Sequence, residues 1–119
     1  MTDLEPDDVR ALADLGFLAL SRGLGVEAEA IFEALRAVRP GEEAPLIGLG
    51  LVRLAAGEFD RAVAQFRAAP KTDAALTFLG IALLRQGALA EARRVLETVA
   101  AAGEGGPADL ARQTLAEIG

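Results

Sequence analysis

The chain contains no cysteine, histidine, tyrosine or tryptophan, and Ser21 and Lys71 are its only serine and lysine. Without Cys or His, thiolate nucleophiles, disulfides, zinc and iron–sulfur cages and Ser/His/Asp arrangements are all excluded. Carboxylates are then the only groups left for acid–base work. The pairs Asp7-Asp8 and Glu42-Glu43 read as first-turn charges that favour the positive end of a helix dipole. A catalytic pair would need a pocket that splits two carboxylate pKa values, and nothing in the sequence suggests one. No enzyme activity, cofactor or metal is expected.

Basic charge is also scarce. The formal net charge is -6 and the isoelectric point is near 4.6, with no basic stripe and no interleaved aromatics. Nucleic acid and anionic membrane surfaces are therefore not expected partners, which leaves protein. The longest uncharged run, Ala74 to Leu84, is 11 residues, against the roughly 20 a membrane span requires. The acidic start Met1-Thr2-Asp3-Leu4-Glu5-Pro6-Asp7-Asp8 lacks the positive region of a secretory signal, so a cytoplasmic location is expected. High Arg relative to Lys, with abundant Ala and Gly, hints at a GC-rich bacterial genome.

What the chain does have is helix-forming bulk. Of 119 residues, 52% are apolar, with 26 Ala and 19 Leu against 5 Phe and few β-branched residues. That composition predicts one all-α domain with a core large enough to need no disulfide.

An internal repeat sets the architecture. A step of 34 superposes Leu12 on Leu46, Leu15-Gly16 on Leu49-Gly50, Leu20 on Leu54, Gly23 on Gly57, Ala28 on Ala62 and Phe32 on Phe66. A further step of 30 continues to Leu76, Leu79-Gly80, Leu84, Gly87, Ala92 and Leu96. The shorter step follows from Pro70, which stops the second block's last helix about one turn early. Gly16, Gly50 and Gly80 would let paired helices approach closely, and Ala28, Ala62 and Ala92 would sit where a larger side chain wedges them apart.

These positions resemble the tetratricopeptide repeat over roughly residues 9 to 102. The family's early Trp is replaced by Leu12, Leu46 and Leu76, and its first-helix Tyr by Ala19, Arg53 and Leu83. The resemblance implies a right-handed helical-repeat solenoid, a single domain over 1–119 with repeats near 9–42, 43–72 and 73–104 and a capping helix at 107–118. Punctuation predicts helices near 7–22, 26–39, 44–56, 60–69, 74–86, 90–102 and 107–118, with first-turn prolines at Pro6, Pro45 and Pro107 and N-caps at Asp60 and Asp73.

In that family, function lies in a concave surface lined by the first helix of each repeat. Aligning the blocks places Ala13, Phe17, Leu20, Ile47, Leu51, Leu54, Thr77, Ile81 and Leu84 in the groove, with Arg10 and Arg85 at opposite ends. Members that clamp a C-terminal carboxylate carry Lys, Arg and Asn there, so a clamp is not expected. An apolar trough suits an amphipathic helix, although any of these residues could instead be core between helices. Leu15 to Leu20 is apolar almost all round, and Leu4, Val9 and Leu18 are expected either to fold onto one another or to form a second docking surface.

Three repeats, a capping helix, acidity and an apolar groove resemble the tetratricopeptide-like chaperones of type III secretion needle subunits. That resemblance implies a client held soluble and unpolymerised through its amphipathic helix, with a small helical co-chaperone. A translocator chaperone of the same systems, or a general interaction scaffold, is the alternative reading.

Overall fold

Seven helices follow one another in the computed structural model: α1 (Pro6–Ser21), α2 (Gly25–Val38), α3 (Glu43–Ala55), α4 (Phe59–Ala68), α5 (Asp73–Gln86), α6 (Leu89–Ala102) and α7 (Gly106–Ile118). The structure describes residues 4–118; Met1, Thr2 and Asp3 of the acidic N-terminal run lie outside them, as does Gly119. There is no strand among the described residues. Every helix end falls within one residue of its expected place, because proline and glycine punctuation acts locally and survives tertiary packing. Pro6 opens α1, and α4 has 10 residues where α2 and α6 have 14.

The N-caps differ from expectation. Thr72 caps α5, its Oγ1 accepting the Ala75 N–H at 3.2 Å, and Glu58 occupies the cap position of α4. Asp60 and Asp73 lie inside the first turns. A cap residue must stand just outside the helix with non-helical backbone, whereas a carboxylate one or two places later meets the positive end of the dipole.

The helices form a solenoid. Each of α3, α5 and α7 packs on the second helix of the preceding pair, α3 and α5 also on the second helix of their own, and α1, α3, α5 and α7 lie side by side. Close approach depends on missing side chains. A Cβ on Gly50 would come within 2.4 Å of the Phe66 ring, and one on Gly80 within 2.6 Å of Leu96. Phe32 is shared: its ring leaves 2.7 Å for a Cβ at Gly16 and 2.4 Å for one at Gly48. Ala28, Ala62 and Ala92 are completely buried beside these contacts. The turn glycines Gly23, Gly57 and Gly87 have φ of +77°, +78° and +97°, a left-handed conformation that other residues adopt at a cost.

These two uses of glycine separate in a stability measurement. Urea unfolding should show Gly50→Ala costing about 1–3 kcal/mol through overpacking against Phe66. Gly57→Ala, where nothing lies within 4 Å, should cost about 1–2 kcal/mol through backbone strain alone. Gly25→Ala, with open space and no positive φ, is the control and should not destabilise. Equal losses at Gly50 and Gly25 would show that the Gly50–Phe66 approach is not tight.

Candidate protein-binding groove

The first helices present one long face made of residues in equivalent register, and the depth of each residue is set by its neighbours. Ala13, Ile47 and Thr77 share one position and are all buried. Thr77 is closed over by α7: its hydroxyl lies 2.7 Å from the Asp73 carbonyl oxygen and 3.2 Å from that of Pro107. These three therefore form the groove floor between helices, because their position lies where successive first helices meet.

Phe17, Leu51 and Ile81 stand one turn along, and Leu20, Leu54 and Leu84 follow at the next position on the same side. All six are half-buried, with one flank on the protein and one toward solvent. Phe17, Leu51, Leu54 and Leu84 rest on the cluster that contains Ile47, Phe66 and Leu79. Phe17 also packs on Phe32, ring centroids 4.9 Å apart and tilted by 58°. The rims carry charge sparingly. Arg10 lines a cavity of about 340 Å³ between α1 and α3 together with Val9, Phe17, Arg39 and Glu42, and the Arg85 guanidinium stacks 5.2 Å above the Phe59 ring.

At the other end, Ala74, Thr77 and Phe78 of α5 enclose an apolar cavity of about 160 Å³ with Pro107 and Leu110 of α7. Sequence reasoning treats α7 only as a cover for the last open edge, and misses Phe78, Pro107 and Leu110 as lining. A signal exists: a step of 33 carries Ala74 to Pro107 and Thr77 to Leu110, so α7 repeats the placement of a first helix without its Leu-Gly pair.

Across the repeats from these stripes the surface is ionic. Arg53 stands at the position of Ala19 and Leu83, and its guanidinium meets Glu29 at 2.6 Å and Glu58 at 3.4 Å. Burial by itself would lower the Arg53 pKa, but the hydrogen bonds and charges of Glu29 and Glu58 outweigh it and hold the pKa above the ordinary arginine value. Arg61 reaches Glu58 at 3.0 Å and Arg36 reaches Glu33 at 2.9 Å. Arg36, Arg53 and Arg61 line one cavity of about 460 Å³, and each already has an acidic partner. Among the described residues no acidic group of three or more is arranged to hold a metal ion, and no helix is long and apolar enough to cross a membrane.

The expected second surface is composed differently. Val9 and Leu18 are nine residues apart, half a turn out of phase on an α-helix, so they occupy opposite sides of α1. Val9 is half-buried at the groove end, and Leu4 is tied back by its carbonyl, which accepts from the Arg39 guanidinium. Leu18 instead shares its exposed face with Leu15.

The repeat pattern is matched from outside the chain as well. None of the curated proteins matches it. The tetratricopeptide repeat family profile matches residues 47–107, from the first turns of α3 to the start of α7, which is half of the chain. With paired helices, glycine-mediated contacts and a shared groove face all in the family's register, the chain belongs to the tetratricopeptide repeat family, a family of protein-binding scaffolds.

Proposed function

We propose that this protein is a non-catalytic chaperone or adaptor whose groove holds an amphipathic helix of a partner protein. The observation that carries the reading is the pair of apolar stripes, Phe17, Leu51 and Ile81 beside Leu20, Leu54 and Leu84, half-buried and uninterrupted by Lys, Arg or Asn. A helix with apolar residues at i, i+3, i+4 and i+7 would remove both stripes from water, and apolar area buried in this way is the main source of such affinity. The client class that fits is a short helical protein prone to self-assembly, as in the needle subunits of type III secretion, held in the bacterial cytoplasm with or without a small helical co-chaperone. Acidity and the repeat number support that assignment; the groove itself requires only the helix.

Co-expression with a needle subunit of the host should give a soluble complex that purifies intact. A needle subunit that still aggregates would remove the secretion assignment and leave the helix-binding one standing. Leu51→Glu and Ile81→Glu should each weaken client binding at least tenfold or so while circular dichroism and the melting temperature change little, since a charge is costly there only when a partner excludes water. Full binding by both folded variants would place the client elsewhere.

The driving force is testable separately. An apolar complex should dissociate at nearly the same rate at low and high salt and should bind with a negative heat-capacity change, as calorimetry and surface kinetics can measure. Electrostatic steering by the net charge of -6 would appear in the association rate. Dissociation accelerating about tenfold with salt would mean that ion pairs hold the complex, and would shift attention to Arg10 and Arg85.

A further inference from the structure

The repeats supply an internal standard for what each face of a first helix normally touches. Leu49 and Leu79 are 3% and 4% exposed beneath the second helix of the preceding pair, whereas Leu15, at the same position of α1, is 50% exposed. Val52 and Ala82 are 6% and 0% exposed, and Leu18 at their position is 48%. The face of α1 that corresponds to a buried helix–helix contact is thus open, and it is leucine-rich.

Its charges say what fits. Asp14 holds the position of Gly48 and Phe78, where α3 receives the Phe32 ring and α5 stacks Phe78 on Phe66 with centroids 6.0 Å apart. A further repeat of the same kind would press an aromatic ring onto the Asp14 carboxylate and leave a charge buried without a partner. Arg22 follows Leu18 by four residues as Asp14 precedes it by four. Neither Asp14 nor Arg22 makes a side-chain hydrogen bond or ion pair with any described residue.

We infer that the outer face of α1 is a homodimer interface, in which two copies of the helix pack antiparallel about a two-fold axis at Leu18. That arrangement sets Leu18 against Leu18, with both Leu15 side chains beside them. It also brings each Asp14 level with the other copy's Arg22, about 6 Å along the helix from the axis and within reach of the long arginine side chain. The face is therefore self-complementary, as a two-fold interface must be. It rests on the α1 sequence and is independent of what fills the groove.

Sedimentation equilibrium of the full chain at tens of micromolar should give about twice the 12.3 kDa monomer mass. Leu18→Glu should give a monomer of unchanged helicity. Asp14→Arg should raise the dimer dissociation constant about tenfold or more by opposing two pairs of like charges, and Asp14→Arg with Arg22→Asp should restore it. A wild-type monomer throughout this range, leaving the face to a different protein, would overturn the proposal. So would a dimer indifferent to Leu18→Glu, or a double charge swap that fails to recover the affinity lost in Asp14→Arg.

Discussion

The Phe32 ring lies where side chains of two different helices would otherwise be, over Gly16 of its own pair and Gly48 of the next. One aromatic side chain thereby fixes two spacings at once: the separation of α1 from α2 and the approach of α3 onto them. Protein interiors are packed too densely to absorb an extra methyl at either glycine without displacing that ring. Phe66 on Gly50 and Leu96 on Gly80 repeat the within-pair contact, and Phe78 stacked on Phe66 takes the place of the Gly48 contact in the next step, so the groove face stays in register along the chain.

Because the offset is maintained, charge and apolarity separate by side. Toward the first helices, the stripes from Phe17 to Ile81 and from Leu20 to Leu84 remain partly wet and contain no ionised group. Toward the second helices, Arg36, Arg53 and Arg61 are each matched by glutamates. The exposed pairs add little stability individually. Arg53 is the exception in placement: drawing in Glu29 from α2 and Glu58 from the following turn, it links two repeats at a position where Ala19 and Leu83 are simply buried.

A solenoid built from one contact type also has an end problem. Every first helix except α1 has a preceding second helix to cover it, and α7 supplies the last pair with a neighbour at the opposite end. The open end is marked by Leu15 and Leu18, framed by Asp14 and Arg22, which pair with no described residue. Charge at that place distinguishes α1 from α3 and α5, and makes the open face selective in what it accepts.

The helix ends, the repeat register and the family were legible in the sequence because they depend on local physics: prolines and glycines that stop helices, and an Ala and Gly pattern that only paired helices need. The apolar character of the groove was legible for the same reason, as periodicity assigns Phe17, Leu51 and Ile81 to one face without coordinates. Depth was not. Periodicity treats Thr77 and Ile81 alike, but α7 closes over Thr77 through the Pro107 carbonyl and leaves Ile81 half-open. Spacing sets Val9 and Leu18 on opposite sides of α1, but it could not say that Val9 lies at the groove end and that Leu15 and Leu18 stay open. Only the neighbours present on one side of α1, and missing on the other, decided which leucines were core and which were surface.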